Sequence, residues 1–196
     1  LTAQLLAYAR GGKYRAETLS FNRFIKDTIP ILHHGVRPDI AIETELLEKD
    51  VRVHVDQTQM QMMLSAVLTN ASEAIEGSGR IRIRPGRIRV GADPAKDPPD
   101  LSAGDYVRIT VSDEGRGMDE KTRSRMFEPF FTTKFQGRGL GMAAAFGIVR
   151  NHKGSISVAS SPGKGTAVSI YLPAVEITGG DEAKRQARQT FDISGL

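Results

Sequence analysis

Apolar side chains recur every three or four positions along four stretches of the chain, which is the spacing of an amphipathic helix. We predict helices over residues 1–10, 21–35, 57–77 and 139–151. Gly11-Gly12 ends the first helix, and Pro30 interrupts the second near its end. Asp56 precedes the third helix and can cap it, while the methionines on its apolar stripe are interpreted as core residues.

Apolar and polar residues alternate in the remaining ordered stretches, which predicts half-buried strands. The predicted strands cover residues 40–46, 51–55, 80–90, 106–111, 155–159 and 166–172. Arg and Ile alternate from Arg80 to Arg89, a pattern typical of a half-buried hairpin. A segment rich in Pro, Gly and Asp at 92–104 is predicted as a loop.

Composition bounds the classes of protein that fit. With 196 residues, of which 39% are hydrophobic, the chain can bury one sizeable core. The net charge is +4, yet the basic strand lacks the interleaved aromatics of a nucleic-acid surface, so we interpret it as a solvated face and expect no nucleic-acid partner. The chain has no cysteine, which excludes disulfides and thiolate metal sites and fits a reducing compartment.

The ends of the sequence suggest a longer protein. The chain begins at Leu1 rather than at methionine, and no apolar run approaches the ~20 residues that a membrane-spanning helix needs. We therefore expect a cytoplasmic domain, with any membrane anchor in segments beyond this sequence.

A pair of polar residues lies within the third predicted helix. Asn70 and Glu73 are three residues apart and therefore share one helix face. A carboxamide oxygen there can ligate Mg²⁺, which prefers oxygen ligands and phosphate partners. The alternative interpretation is an ordinary capped or solvated polar face.

A second candidate follows the strand at 106–111. Asp113 stands at its end, and Gly115 and Gly117 come directly after. A carboxylate there can accept a hydrogen bond from an exocyclic amine, while glycines let the backbone approach a planar base. The alternative is an ordinary turn, and the glycine spacing does not match a Rossmann fingerprint.

Three further motifs lie in the last third of the chain. Phe127 to Lys134 contains three phenylalanines, which require either a core or a moving lid to cover them, and Lys134 can reach phosphate. Gly137 to Gly141 forms a glycine-rich loop that opens a helix, an arrangement that offers amide donors to anions. Gly163 to Thr166 adds a glycine turn before the last strand, and none of these is a Walker A loop.

In this order the motifs resemble those of the ATP-binding catalytic domain of sensor histidine kinases, within the superfamily of gyrase, the heat-shock chaperones and MutL. The resemblance spans about Phe21 to Pro173, and the stretch from Gly137 to Pro173 is most similar to hybrid and nitrogen-regulator kinases. It implies an α/β fold, a two-layer sandwich of a mixed sheet packed on helices, known as the Bergerat ATP-binding fold.

The resemblance also implies roles for individual residues. Asn70 would hold Mg²⁺, Asp113 the adenine amino group, Gly117 the face of the base, and Gly139 with Gly141 the phosphates. Glu73 and Lys134 are the further catalytic candidates, and the segment between Met118 and Gly137 would be a mobile ATP lid. The remaining ATP contacts would be Ala74, Gly115, Met118, Phe131, Thr132, Lys134, Gly137, Arg138, Leu140 and Thr166.

Two departures refine what the resemblance implies. Ala66, one helical turn before Asn70, stands where gyrase and MutL carry a water-activating Glu and where these kinases commonly carry Asn. Alanine cannot act as a base, which argues against a hydrolytic clamp. The only histidines are His33, His34, His54 and His152, and none has the acidic neighbour of a phosphoacceptor.

We therefore expect three regions: a remnant of the dimerisation and phosphoacceptor hairpin at 1–18, the catalytic domain at 19–175 and a polar tail or linker at 176–196. The expected partners are ATP, the upstream hairpin and a response regulator receiver domain. We expect this chain alone to be a monomer and the full-length protein a homodimer. The alternatives are a serine kinase of the anti-sigma-factor type and a nucleotide-binding interaction module without catalysis.

Overall fold

A computed structural model of the chain describes residues 14–91, 100–133 and 139–175. The predicted helix at 1–10, the residues Lys134, Gly137 and Arg138, and the predicted tail at 176–196 lie outside the described residues. The elements, in chain order, are β1 (Ala16–Ser20), α1 (Phe21–His33), β2 (Ile40–Thr44), β3 (Arg52–Asp56), α2 (Gln57–Ala74), β4 (Gly79–Val90), β5 (Gly104–Asp113), α3 (Glu120–Arg125), α4 (Gly141–Asn151), β6 (Ser155–Ser160) and β7 (Thr166–Val175).

The strands form one mixed sheet. Its hydrogen-bonded order is β1-β3-β7-β5-β4-β2, and β6 also pairs with β7. β2 runs parallel to β4, whereas the other ladders are antiparallel. The helices α1, α2 and α4 cover one face of this sheet, so the architecture is the predicted two-layer α/β sandwich.

The core lies between the sheet and the helices. The strands contribute every second residue to it, as the alternation predicts. The largest fully buried side chains are Phe21, Ile25, Ile40, Met60, Met63, Leu64, Leu68, Ile81, Ile83, Ile109, Ile170 and Leu172. The two methionines of α2 are thus core residues, as predicted.

The alternating Arg-Ile segment corrects one detail of the prediction. Residues 80–89 do not fold back on themselves, because β4 is a single strand of 12 residues whose antiparallel partner is β5. Its outward arginines pair with neighbouring acids: Arg82 Nε lies 3.0 Å from Glu43 Oε2, and Arg84 Nε lies 2.7 Å from Glu45 Oε1. These contacts accord with a solvated strand face.

One proline inside a helix and two helix boundaries differ from the predictions. Pro30 lies within α1 and does not interrupt it. Its missing N–H removes one helical hydrogen bond, to the carbonyl of the exposed residue Lys26, and less than one turn of the helix follows. α2 ends at Ala74 rather than Gly77, since Ile75 is already extended. α4 begins at Gly141, because Leu140 serves as its N-cap residue.

Two elements were not predicted at all. β1 has the sequence AETLS, with no buried residue, and among the described strands it pairs only with β3. α3 has the sequence EKTRSR and also buries no residue. Neither segment carries an apolar pattern, so periodicity had no signal there.

Within the described ranges, none of the helices combines the length and the apolar character required to cross a membrane.

Candidate functional site

Segments that are far apart in sequence meet around Asp113, the last residue of β5. The Arg116 N–H donates to the Ala74 carbonyl at the end of α2 over 3.0 Å. Thr166, the first residue of β7, lies opposite Asp113 in the ladder and donates its N–H to Asp113 Oδ1 over 3.2 Å. The loop after β5 is therefore held between the end of α2 and the start of β7.

The carboxylate of Asp113 has a defined orientation. Besides the Thr166 N–H, its Oδ1 accepts the Gly115 N–H over 2.9 Å, and the residue is partly buried. Backbone donors to a carboxylate form strong, charge-assisted hydrogen bonds. An ionised carboxylate can only accept hydrogen bonds, so this group can recognise a donor such as an exocyclic amine.

Gly117, four residues after Asp113, packs closely against the backbone of Ser161. Its φ is +66°, and an ideal Cβ on it would lie 2.0 Å from the Ser161 carbonyl oxygen. Only glycine adopts this conformation at no steric cost, and no side chain fits into the contact. The Gly163 N–H also donates to the Arg116 carbonyl over 2.7 Å, so the first and third glycine motifs pack backbone against backbone.

The start of α4 lies against the middle of α2. An ideal Cβ on Gly141 would be 3.7 Å from the Ala66 Cβ. Leu140, the N-cap residue of α4, makes no side-chain capping bond, so it does not cover the first amides of the helix. Those amides and the helix dipole favour an anion at this end. Asn70 is half-buried one turn further along α2.

Gly139 packs tightly against the backbone of the phenylalanine motif. Its φ is +63°, and an ideal Cβ on it would lie 2.4 Å from the Phe130 carbonyl carbon. Its own carbonyl accepts the Phe130 N–H over 2.9 Å. In this structure Gly139 therefore joins the phenylalanine motif to the start of α4.

The three phenylalanines are covered to different degrees. Phe127 is half-buried and lies 5.3 Å from Phe146 of α4, measured between ring centroids. The Arg125 guanidinium sits 4.3 Å above the Phe131 ring, a cation–π contact. Phe130 is 70% exposed, so neither the core nor another described residue covers it.

The other predicted site residues divide between described and undescribed parts of the chain. Glu73 is exposed on the last turn of α2, Thr132 is exposed, and Met118 is half-buried against the main core. Lys134, Gly137 and Arg138 lie outside the described residues, so the predicted second glycine loop is described only from Gly139 onward.

Comparison with known proteins assigns the family. Residues 55–176 match the family described as histidine kinase-, DNA gyrase B-, and HSP90-like ATPases. The chain belongs to this ATPase family. The match covers the segment from the end of β3 through β7, which includes every motif described above.

Named relatives place the chain more closely. It is 33% identical over 204 residues to the sensor kinase CckA of Brucella abortus, and the match covers 100% of this chain and 22% of that protein. It is 30% identical to the histidine-protein kinase AtoS of Escherichia coli, with 87% of this chain and 26% of that protein covered. The chain thus spans about a quarter of these relatives.

Solved structures agree with this assignment. The catalytic domain of histidine kinase ThkA matches with a TM-score of 0.64 at 26% identity, over 81% of this chain and 95% of that one. The fold is likewise that of the mycobacterial sensor histidine kinase MprB, with a TM-score of 0.64 at 24% identity, over 83% of this chain and 100% of that one. The chain is an ATP-binding catalytic domain of the sensor histidine kinase type.

The donor set of this ATPase domain bears on the metal ion. Among the described residues, no group of three or more His, Cys, Asp or Glu side chains is arranged to hold a metal. Mg²⁺ commonly keeps several waters and binds through one or two protein oxygens together with substrate phosphates. The side chain of Asn70 on α2, a half-buried residue, offers a single amide oxygen. It therefore fits an Mg²⁺ ion that arrives together with the nucleotide better than an ion that the protein alone would hold permanently.

His152 has a structural role. It is 4% exposed; its Nδ1 donates to the Ile148 carbonyl over 2.8 Å, and its Nε2 accepts the Asp56 N–H over 2.9 Å. Those two contacts define a neutral ring that links the end of α4 to the junction of β3 and α2.

The sequence reasoning missed one polar residue of the site. Ser160, at the end of β6, bonds to Met118, Gly165 and Thr166. It is two residues before Pro162 and the third glycine motif, but no periodicity or motif singled it out. Its hydroxyl matters because the end of β6 lies close to the segment after Gly117 and to the third glycine motif.

Proposed function

We propose that this domain binds ATP with Mg²⁺ and delivers the γ-phosphoryl group to a histidine on a helical hairpin that precedes it in a full-length kinase. A response regulator receiver domain would then accept the phosphoryl group from that histidine. The observation that carries the proposal is the carboxylate of Asp113, oriented by the Gly115 and Thr166 amides where three predicted nucleotide motifs meet.

In this proposal the two ends of the site have separate tasks. Asp113 accepts a hydrogen bond from the adenine amino group, and the backbone around Gly117 contacts the face of the base. The first amides of α4, with Gly141 among them, face the phosphates, and Gly139 supports them through the Phe130 backbone. Lys134, from outside the described residues, is proposed to neutralise phosphate charge.

The metal ion and the acceptor complete the chemistry. Mg²⁺ bound through Asn70 would supply charge neutralisation at the phosphates. The protein's own contribution is orientation of the nucleotide, because phosphoryl transfer depends mostly on positioning and electrostatics. The nucleophile comes from the other domain, and Glu73 is the candidate on α2 that would assist at that position.

Two alternatives are less well supported. A hydrolytic clamp needs a base that activates water, whereas the residue facing the start of α4 from α2 is Ala66. A serine kinase of the anti-sigma type would share the fold, but the relatives at 33% and 30% identity are named as a sensor kinase and a histidine-protein kinase. The hybrid or nitrogen-regulator subtype and the region boundaries at 18 and 175 remain part of the proposal.

The direct test is a calorimetric titration of the chain with ATP and Mg²⁺, compared with Asp113→Asn. Asparagine preserves the shape and one acceptor oxygen, but it replaces the other oxygen with an amide donor that opposes the adenine amine. We expect affinity to fall by roughly 10-fold to 100-fold, the range for a hydrogen bond to a charged group.

Asp105→Asn is the matched control. Asp105 lies on the same strand and pairs with Arg89 at the opposite end, so this variant should bind ATP like the wild type. Wild-type chain that does not bind ATP, or Asp113→Asn that binds with unchanged affinity, would refute the proposed site.

A further inference from the structure

The hydroxyl of Ser160 joins three backbone segments of the site. Ser160 ends β6 and is partly buried. Its Oγ accepts the Met118 N–H over 2.9 Å and donates to the Gly165 carbonyl over 2.9 Å. It also lies 3.0 Å from the Thr166 Oγ1. The single side chain thus contacts the segment after the first glycine motif and the third glycine motif.

Counting protons assigns every donor in this cluster. A serine hydroxyl has one proton and two lone pairs. Because the proton of Ser160 points at the Gly165 carbonyl, which can only accept, the Thr166 hydroxyl must donate in the third contact. The Ser160 hydroxyl then makes all three hydrogen bonds that it can make.

The same cluster reaches the adenine-binding carboxylate in one further step. Thr166 bonds to Ser160 through its side chain and to Asp113 Oδ1 through its backbone N–H. Met118, on the other side of Ser160, directly follows Gly117. Ser160 therefore ties the proposed base-binding wall at Gly117 to the strand that orients Asp113.

We propose that Ser160 is a positioning residue for the base-binding half of the nucleotide site. It touches neither the nucleotide nor the reacting atoms in this proposal; it holds Met118 and Thr166 so that Gly117 and Asp113 face the base from fixed positions. This inference rests on the proposed ATP site, and it adds a residue to which the family motifs assign no role.

The test measures dissociation constants for ATP and ADP, each with Mg²⁺, on Ser160→Ala. The substitution leaves the Met118 N–H and the Gly165 carbonyl without their partner. We expect both dissociation constants to rise by about 5-fold to 30-fold. Because the two nucleotides share the base and differ in the phosphates, the ratio of the two constants should stay within about twofold of the wild-type ratio.

A matched control exists in the same sheet. Ser169 and Thr110 form another partly buried hydroxyl pair, with 3.1 Å between the oxygens, on β7 and β5 beyond the site. Ser169→Ala should therefore leave both nucleotide affinities within about twofold of the wild type. Urea unfolding of both alanine variants separates loss of affinity from loss of the fold.

Two conservative variants sharpen the result. Ser160→Thr retains the hydroxyl on a β-branched side chain that suits a strand, and we expect affinity within about threefold of the wild type. Ser160→Cys retains the shape but is a weak donor and acceptor, so its affinity should lie between those of the wild type and Ser160→Ala.

The outcomes distinguish this inference from the proposed function. Wild-type affinity in Ser160→Ala and Ser160→Cys, while Asp113→Asn loses binding, would overturn the role of Ser160 alone. A loss confined to ATP, an equal loss in Ser169→Ala, or no recovery in Ser160→Thr would also overturn it. Absence of ATP binding by the wild-type chain would overturn the proposed function first and this inference with it.

Discussion

Asp56 illustrates how one side chain can set the geometry of a helix that carries the site. It is the N-cap of α2, and its Oδ1 accepts the Gln59 N–H over 3.0 Å, while its Oδ2 accepts the Arg15 N–H over 2.9 Å. Burial raises the pKa of this carboxyl, but the hydrogen bonds from the backbone of Arg15, Gln59 and Thr58 outweigh burial and lower the pKa below its ordinary value.

A pH-dependent contribution to stability follows from that lowered pKa. Because the folded-state pKa of Asp56 is below the unfolded value, its contribution is present above the ordinary value of 3.8 and is lost as pH falls through the folded pKa. At pH 7, Asp56→Ala should lower the free energy of unfolding by about 1–2 kcal/mol. Urea unfolding of the wild type and of Asp56→Ala, at pH 7 and near pH 3, measures the difference in unfolding free energy between the two proteins at each pH.

The control for this prediction is Asp27→Ala. Asp27 makes an exposed ion pair with Arg23 within α1, at 3.5 Å, and such pairs contribute about 0.5 kcal/mol or less. The gap in stability between wild type and Asp56→Ala should narrow at acidic pH. A gap of the same size at both pH values would contradict a role for the ionised carboxylate.

At the scale of elements, α2 and α4 are joined at the ends remote from the nucleotide site. His152 follows α4 and accepts the Asp56 N–H at the start of α2, and the Tyr14 ring lies 5.3 Å from the imidazole. α2 carries Asn70 near its other end, and α4 begins at Gly141. One buried contact thus helps to set the relative position of the two helices that form the site.

His152→Ala should therefore destabilise the whole domain. It leaves the Asp56 N–H and the Ile148 carbonyl without their side-chain partner and opens a small cavity, so we expect the free energy of unfolding to fall by about 2–4 kcal/mol. His54→Ala is the control, because the His54 side chain is exposed and contacts the Thr18 hydroxyl at the surface, over 3.1 Å. If urea unfolding shows equal losses of unfolding free energy in His152→Ala and His54→Ala, the role of His152 in joining α2 and α4 would be wrong.

At the scale of the whole molecule, the chain has a nucleotide-binding fold, but its sequence contains no evident acceptor for the phosphoryl group. None of its four histidines stands in a phosphoacceptor context in the sequence. His152 and His54 make the structural contacts described above, and His34 Nδ1 contacts the Pro30 carbonyl. The chain spans 22% of CckA and 26% of AtoS, and in the proposed function the acceptor histidine lies on a hairpin outside this sequence.

We therefore expect the isolated chain to bind ATP but to turn it over slowly. Fusion to the kinase's own upstream hairpin should produce a phosphohistidine, detectable with γ-labelled ATP as an acid-labile product, and Asn70→Ala in the fusion should abolish it. Rapid ATP hydrolysis by the chain alone, lost in Asn70→Ala, would instead indicate a hydrolytic ATPase. Binding of ATP without phosphorylation of the fusion would favour the interaction module.

The oligomeric state is a separate prediction. We expect the chain alone to be a monomer, and light scattering tests this expectation.

Much of the architecture could be read from local patterns. The alternation at 80–90 and the stripe of α2 reflect the two faces of each element, and Asp56 marked the helix start through its own side chain. β1 and α3 escaped prediction because neither has a fully buried residue or an apolar pattern. The effect of Pro30 was overestimated, because it depends on how much of the helix follows the proline. The parallel pairing of β2 with β4 could not be predicted, because it joins strands that are distant in the chain.

The sequence by itself determined the family, the order of the motifs and the residue types that can meet a nucleotide, because each of these depends on neighbours along the chain. Only the tertiary structure decided that Gly139 packs on the Phe130 backbone, that His152 joins two helices and that Ser160 joins the end of β6 to Met118 and to the third glycine motif. The His152 contact joins residues 96 positions apart, and the contact of Ser160 with Met118 joins residues 42 positions apart. Hydrogen-bond partners at that separation leave no periodic trace in the chain.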